Sequence, residues 1–144
     1  MDATAPPSFE DWLAIVTALN RLGEIFDRRE WHAVGEVIAA DAVCYGVRGR
    51  DAIVSANLRH HLGGCRPSQH LLGNYMVMID GDSARSRTKV RAFHQGAGDR
   101  AHLTFESIGV YHDTWSRTAT GWLLVERVFQ VDTNIGDFSA LAPG

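Results

Sequence analysis

The spacing of apolar residues changes from a helical period to a period of two near position 70, and this change constrains the fold more than any other feature of the chain. Downstream of it, apolar and polar residues alternate in four long runs separated by turn residues. Upstream, apolar residues recur every three or four positions, at Trp12, Ile15, Leu19, Leu22 and Phe26. Helices followed by a strand meander predict an α+β fold, with the helices packed on one face of an antiparallel sheet.

These patterns predict an ordered set of elements. Ser8 is a good N-cap for the first helix, which we expect to end between Asp27 and Arg29. A short helical segment, a short strand and a second helix come next, and the glycine pair at 63 and 64 stops that helix. The expected ranges are 31–38 and 49–62 for the two later helical segments, 42–45 for the short strand, and 70–79, 83–95, 102–115 and 122–132 for the long strands.

The composition restricts the partners of such a fold. A formal net charge of -3 gives no general attraction to nucleic acid or to an anionic membrane, so a hydrophobic small molecule is the expected partner. The apolar runs are too short to cross a membrane and the first residues lack a signal-peptide pattern, which predicts a cytoplasmic protein. The length suits one domain over 1–144, with flexible or covering tails at 1–7 and 134–144. Cys44 and Cys65 lack C-x-x-C spacing and are expected to be reduced.

The strand at 83–95 alternates small side chains with cations, so its two faces differ. One face carries Ala84, Ser86, Thr88, Val90, Ala92 and His94, and the other carries Arg85, Arg87, Lys89 and Arg91. His94 therefore points with the small residues, where a curved sheet would leave a cavity between itself and the helices. The cationic face is either solvated, or meets carboxylates such as Glu106 and Glu126 on neighbouring strands or on a second subunit.

The strand at 70–79 carries apolar residues on both of its faces. Strict alternation places Leu72, Met76 and Met78 on one face and Leu71, Tyr75, Val77 and Ile79 on the other. The helices can cover one face. The outer face of the sheet is therefore a candidate homodimer interface.

Asp27, His70 and His94 are ionisable groups that this arrangement could bring together. Asp27 lies at the margin of the helical stripe and at a helix C-terminus, where the dipole opposes a carboxylate and favours a cationic partner. If Asp27 held the Nδ1 proton of either histidine, Nε2 would be left to remove a proton from a substrate. The alternative is structural for each: a solvated Asp27, a hydrogen-bonded His70 and a solvent-accessible His94.

Arg127 alternates with apolar residues on the last strand, so we expect it to be buried beside an anion. The alternating residues are Leu123, Val125, Phe129 and Val131. Arg127 either pairs with Asp27 or Asp132, or stabilises negative charge that develops in a substrate. The residues expected to contact a substrate are Phe26, Tyr45, Asn74 and Phe129. Tyr45, Tyr75, Tyr111 and Asn74 could supply hydrogen bonds to a substrate oxygen, and each could equally be a core or rim residue.

Several chemistries lack their sequence patterns. The chain contains no H-E-x-x-H motif, and adjacent His60 and His61 point in different directions on a helix. It contains no G-x-S-x-G nucleophile motif, P-loop or G-x-G-x-x-G fingerprint either. We therefore expect neither a metal nor an organic cofactor.

Several segments resemble the nuclear transport factor 2-like superfamily, and within it the SnoaL-like and scytalone dehydratase-like proteins. They are RLGEIFDRREW (21–31), GRDAI (49–53), QHLLGN (69–74), IDGDSA (79–84) and RTATGW (117–122), together with Arg127. The resemblance covers nearly the whole chain. It implies a cone-shaped barrel, in which the N-terminal helices pack in the concave face of a strongly curved antiparallel sheet.

The resemblance also implies roles for individual residues. Asp27 and His70 match a catalytic aspartate and histidine, His94 is similar to a second catalytic histidine, and Arg127 resembles an arginine used by related dehydrochlorinases and dehydratases. Such enzymes need no cofactor: the histidine removes an acidic proton, and water or halide leaves. Phe26 stands where the dehydratase pattern carries a tyrosine, whose hydroxyl Tyr45 could supply.

The predicted function is that of a cofactor-independent lyase or isomerase acting on a hydrophobic cyclic small molecule, with His70 as base and Asp27 as its orienting partner. Two alternatives use the same fold: a non-catalytic module for small-molecule binding or dimerisation, and a polyketide-cyclase-like aldol catalyst. Hydrogen bonding between Asp27 and His70 inside a closed pocket would favour catalysis.

Overall fold

The structure is a computed structural model that describes residues 6–142. Its helices are α1 (Phe9–Arg28), α2 (Arg50–Ala52) and α3 (Arg59–Leu62), and a π-helical stretch (Ile53–Leu58) joins the last two. Its strands are β1 (Ile38–Cys44), β2 (Val47–Arg48), β3 (Cys65–Asp80), β4 (Ser83–Gly96), β5 (Thr104–Thr118) and β6 (Gly121–Gly136). Short 3-10 turns cover Trp31–Glu36, Gly98–Arg100 and Phe138–Leu141.

α1 presents its apolar stripe to the sheet, and residues at both ends satisfy the exposed backbone groups. Ser8 caps the N-terminus by accepting a hydrogen bond from the Asp11 amide at 3.1 Å, as predicted. Asp11 in turn accepts hydrogen bonds from Arg117 and from the indole of Trp122, which ties the helix start to β5 and β6. The helix ends at Arg28, and the C-cap residue Arg29 adopts a left-handed conformation with φ of 57°.

Within the described residues the sheet has six strands in the order β2-β1-β6-β5-β4-β3. β3 to β6 form the predicted antiparallel meander. β1 is parallel to β6, so the sheet as a whole is mixed, whereas an antiparallel sheet was predicted. A helical excursion separates β1 from the meander, and such a connection permits a parallel pair. The sheet is open, with β2 and β3 as edges, and α1 packs on its inner face against β3 and β6. This is the expected α+β, cone-like fold without closure into a barrel.

Two helical segments differ from the predicted ones. The segment at 31–38 is a 3-10 turn that ends at Glu36, because Ile38 already pairs with β6. The segment at 49–62 is divided, since the π-helical stretch interrupts its α-helical hydrogen bonding. No helix among residues 6–142 is long and apolar enough to cross a membrane.

The C-terminal segment is ordered against the sheet. β6 continues to Gly136 and pairs with β5, and the turn that follows buries Ala140 and Leu141. Strand pairing and the buried turn therefore hold residues 134–142 against the sheet. Residues 1–5 and 143–144 of the predicted tails lie outside the described residues.

The two faces of the meander follow the predicted alternation on β4. Its small residues and His94 are buried on the inner face and its cations are exposed on the outer face. Arg91 pairs across the strands with Glu106, one of the expected carboxylates. On β3 the register shifts between Gly73 and Met76, and this bulge places Leu72 on the inner face with Val77. The predicted grouping of Leu72 with Met76 is therefore wrong.

Candidate active site

Asp27 and His70 meet where the end of α1 packs against the start of β3. Oδ1 of Asp27 lies 2.7 Å from Nδ1 of His70, and Oδ2 accepts the backbone amide of His70 at 2.8 Å. The Ser68 hydroxyl donates to Oδ1 at 2.9 Å. The side chains of His70 and Asp27 are only 7% and 15% exposed, so water competes little for these bonds.

These hydrogen bonds determine the charge of the carboxylate and the tautomer of the ring. Burial alone would raise the pKa of Asp27, but hydrogen bonds from His70 and Ser68 outweigh it and hold this pKa below its ordinary value. An ionised carboxylate can only accept, so Nδ1 of His70 carries a proton, and Nε2 is the ring nitrogen left to act as a base.

His94 lies beside this pair on the inner face of β4. Its ring stands edge-on to the His70 ring, with 5.8 Å between the centroids. Nδ1 of His94 lies 3.1 Å from the carbonyl oxygen of Phe105 and donates to it, which leaves a lone pair on Nε2. Burial, with a further contribution from His70, lowers the pKa of His94 to about 4, so this ring is neutral at physiological pH.

A cavity of about 360 Å³ opens from the two histidines between the sheet and the helical segments. It is lined by Phe26, Tyr45, Leu58, His61, Leu62, His70, Ala92, His94, Phe105, Ser107, Tyr111, Phe129, Val131, Asn134, Phe138 and Leu141. Of the residues predicted to contact a substrate, Phe26, Tyr45 and Phe129 therefore line this space. Asn74 does not: it is exposed at the β3 bulge, where its φ of 53° departs from an extended strand.

Arg127 is buried beside an anion, but its partner is Asp113 and not Asp27 or Asp132. Nε and Nη2 of Arg127 donate to the two Asp113 oxygens at 2.8 Å each. Burial opposes the charge, yet Asp113 outweighs it and the pKa of Arg127 rises well above its ordinary value. The guanidinium lies 3.7 Å from the centroid of the Tyr111 ring, and Arg127 is absent from the cavity lining. It therefore stands behind the cavity wall.

Sequence reasoning missed several residues around the site. Ser68 bonds to Asp27, and Ser107 bonds to Asn134 across the far wall at 2.8 Å. The serines carried no motif of their own. Ser68 lies two residues before His70, however, so strand alternation could have placed both on one face. Asp113 could not have been paired with Arg127, because their register depends on a bulge in β6.

The arrangement of the histidines, cysteines and carboxylates bears on metal binding and on disulfide formation. Among residues 6–142, no group of three or more histidine, cysteine, aspartate or glutamate side chains is arranged to hold a metal ion. The side chain of His60 lies outside the described part of the chain. Cys44 and Cys65 are buried, and neither forms a disulfide in the structure.

Comparison with known proteins decides the family. The model of the SnoaL-like domain matches residues 7–128. The chain belongs to the SnoaL-like family. This SnoaL-like protein is also 32% identical over 123 residues to Rv2910c, an uncharacterized protein of Mycobacterium tuberculosis (strain ATCC 25618 / H37Rv), across 82% of this chain and 83% of that protein.

Solved structures share the fold of this SnoaL-like chain, among them a nuclear transport factor 2 (NTF2-like) superfamily protein from Salmonella enterica, with a TM-score of 0.78 and 13% identity over 88% of this chain and 94% of that one. A proposed aromatic ring hydroxylase from Novosphingobium aromaticivorans superposes with a TM-score of 0.83 and 23% identity, over 96% of this chain and 99% of that one. A proposed scytalone dehydratase from the same species superposes with a TM-score of 0.78 and 19% identity, over 91% and 90%. Likeness at this identity establishes the shared fold.

Proposed function

We propose that this SnoaL-like protein is a cofactor-independent lyase or isomerase that removes an acidic C–H proton from a hydrophobic cyclic small molecule. The observation that carries the proposal is the 2.7 Å contact between Asp27 Oδ1 and His70 Nδ1 at the wall of a largely apolar cavity. Asp27 holds the imidazole in one tautomer, and it stabilises the imidazolium that forms when Nε2 accepts the proton.

Groups on the other walls suit the negative charge that this step creates. Removing a proton next to a carbonyl leaves an enolate, whose oxygen needs hydrogen-bond donors. Tyr45 and Tyr111 line the cavity, and burial raises the pKa of both hydroxyls, so each remains a donor. Tyr45 thus supplies a hydroxyl that Phe26 lacks. Arg127 assists from behind the Tyr111 ring, with its charge partly offset by Asp113.

His94 suits the leaving group. A neutral imidazole that donates through Nδ1 to Phe105 can accept at Nε2 a hydrogen bond from a substrate hydroxyl, and so orient it. The His70 imidazolium then returns its proton to that hydroxyl as the C–O bond breaks, and the hydroxyl departs as water. The name of one structural neighbour, a proposed scytalone dehydratase, supports this class of elimination. The apolar lining supports a ring system as substrate and disfavours a strongly charged molecule.

The test is deuterium exchange into an enolisable bicyclic ketone, β-tetralone, followed by a panel of cyclic β-hydroxy ketones scored for loss of water. Exchange reports proton removal directly and does not require the natural substrate. Wild-type protein is expected to accelerate exchange, and His70→Ala and Asp27→Asn to lose about 10²- to 10⁴-fold of this acceleration.

His112→Ala is the matched control, because His112 is exposed on the opposite face of the sheet. It should exchange at the wild-type rate. Equal rates for wild type, His70→Ala and Asp27→Asn would contradict the proposal. Saturable binding of the ketones with no exchange and no elimination would instead assign the cavity to ligand binding.

We also propose that the outer sheet face joins two copies of the chain. Leu71, Met76 and Phe93 are 63%, 57% and 37% exposed on the outer face of β3 and β4, an unusual density of apolar side chains for open solvent. Cations alternate with Phe93 on β4, and Arg91 among them is paired with Glu106 of its own chain. A two-fold axis lets the remaining cations meet exposed carboxylates such as Glu126 of a second copy. Sedimentation should show a dimer for wild type and a monomer for Leu71→Asp. A monomeric wild type would contradict the proposal.

A further inference from the structure

Arg29 makes an unusual set of hydrogen bonds next to the site. Its guanidinium donates to the carbonyl oxygens of Phe26, Asp27, Leu62 and Cys65, and to the Ser68 hydroxyl. These partners come from the end of α1, the end of α3 and the start of β3. Arg29 is half-buried and is absent from the cavity lining, so its effect on a ligand must pass through other residues.

The bond to Ser68 has a direction that matters for Asp27. Nη1 of Arg29 lies 2.6 Å from Oγ of Ser68, and an arginine can only donate. The Ser68 oxygen thus accepts from Arg29, and the Ser68 hydroxyl hydrogen is donated to Oδ1 of Asp27, 2.9 Å away. The same Oδ1 accepts Nδ1–H of His70. One ordered chain of donors therefore runs from Arg29 through Ser68 to the carboxylate.

We propose that Arg29 is a positioning residue for the Asp27–His70 pair, fixing Ser68 as a donor and so holding the Asp27 carboxylate in the orientation that the His70 ring requires. This inference rests on the function proposed above. The backbone supports it: the left-handed conformation of Arg29 turns its side chain back under the helix end, so that one planar fork reaches both the helix carbonyls and β3.

The competing explanation is that Arg29 merely caps α1. Capping accounts for its bonds to the carbonyls of Phe26 and Asp27, but not for its bond to Ser68. Ser68→Ala removes the link to Asp27 and leaves the capping bonds in place. Arg29→Lys keeps the charge but loses the planar fork, so it separates geometry from simple attraction.

Two readouts test the proposal. In exchange assays with β-tetralone, Arg29→Lys and Ser68→Ala should each lower kcat by about ten- to hundredfold while KM changes by less than about threefold, because neither residue touches the ligand. The double variant should lose little more than either single variant, since the two residues act in series. Arg28→Lys, the same substitution at the exposed neighbouring position, should match wild type.

The second readout is the tautomer of His70, measured by ¹⁵N NMR on labelled protein without any ligand. Wild type and Arg28→Lys should show a protonated Nδ1 and an unprotonated Nε2, and Ser68→Ala and Arg29→Lys should populate the other tautomer. If Arg29→Lys does not fold, Ser68→Ala decides alone.

The outcomes separate this inference from the proposed function. Wild-type kcat and tautomer in both variants, with exchange abolished in Asp27→Asn, would overturn the role of Arg29 and leave the function standing. If both variants shift the His70 tautomer but the wild-type protein does not accelerate deuterium exchange into any probe, the positioning role is supported and the proposed lyase or isomerase function is not.

Discussion

At the residue scale, the buried His94 ring lies edge-on to the His70 ring, and burial and this neighbour both disfavour a positive charge on His94. His94 also faces the charges of Arg29 and Asp27. Its pKa is about 4 in the folded protein, against an ordinary value near 6.5. Between these two pH values the unfolded chain binds more protons, so folding stability is full above pH 6.5 and falls as the pH drops towards 4.

The expected size of this loss is up to about 3 kcal/mol, and urea unfolding at several pH values measures it. His94→Asn keeps a donor for the Phe105 carbonyl but cannot titrate, so its stability should vary much less over this range. His112→Asn, on the exposed face, should keep the wild-type slope. A slope in His94→Asn as steep as in wild type would assign the effect to other groups.

Arg127 and Asp113 form a buried ion pair, in which the loss of one partner strands the other charge. Asp113→Leu and Arg127→Met should each destabilise the protein by about 3 to 5 kcal/mol, and the two combined should recover most of that loss. Urea unfolding of the double-mutant cycle measures the coupling. The exposed pair Arg28 and Glu24 is the control and should couple by about 0.5 kcal/mol.

Activity of the same double variant tests the predicted catalytic role of Arg127. Proton exchange retained in a folded double variant would show that the residue acts through structure alone. An uncoupled cycle, in which the two single losses simply add, would contradict the ion-pair argument itself.

At this scale, sequence patterns predict the burial of a residue more accurately than they predict its contacts. Arg127 could be predicted as buried because apolar residues surround it in the strand. The contact between Arg127 and Asp113 could not be predicted, because Val125 has no partner in the pairing of β5 with β6 and the register shifts there. Asp27 and His70 could be predicted together only through the family resemblance, because spacing alone also allowed structural roles for both.

At the scale of single elements, the bulge in β3 decides which residues face the cavity. Asn74 carries it with φ of 53°, a conformation that asparagine and glycine tolerate and β-branched residues do not. Asn74→Gly should change the free energy of unfolding by less than about 0.5 kcal/mol, and Asn74→Val should cost about 1 to 2 kcal/mol. Thermal unfolding measures both.

The matched control is Gln69→Val, on the exposed face of the same strand, where an extended backbone accepts valine readily. Asn74→Gly also tests the predicted substrate contact. Because Asn74 lies outside the cavity lining, exchange with β-tetralone should be unchanged. A tenfold fall would restore Asn74 to the site.

Local pattern predicted the elements themselves with fair accuracy. The period of two marked β3 to β6, and the Asp-Gly turn marked the first hairpin. The bulges, the parallel pairing of β1 and the π-helical stretch depend on contacts between distant segments, which a local period does not contain. The early start of β3 at Cys65 belongs with these, because pairing with Gly96 establishes it.

At the scale of the whole molecule, the cavity floor is a row of cross-strand neighbours in which Ala92 separates His70 from Ser107. Because the Ala92 side chain is small, it leaves room for a substrate ring beside His70. Ala92→Leu should weaken β-tetralone binding by about tenfold or more, as measured by calorimetry, without loss of thermal stability.

Ala101→Leu is the control, since Ala101 is exposed in the turn between β4 and β5. It should bind like wild type. Unaltered binding in Ala92→Leu would mean that the ligand occupies another part of the cavity.

The proposed general base and the residues that orient it come from one part of this chain, and much of the cavity wall comes from another. Asp27, Arg29, Ser68 and His70 belong to the junction of α1 with β3, while much of the lining comes from β4 to β6. Mutation can therefore reshape the walls without disturbing the acid–base machinery. Such a division favours the evolution of new specificities, because related proteins can keep the junction of α1 with β3 and change substrate through substitutions in β4 to β6. Protein design can use the same division by replacing residues on these strands.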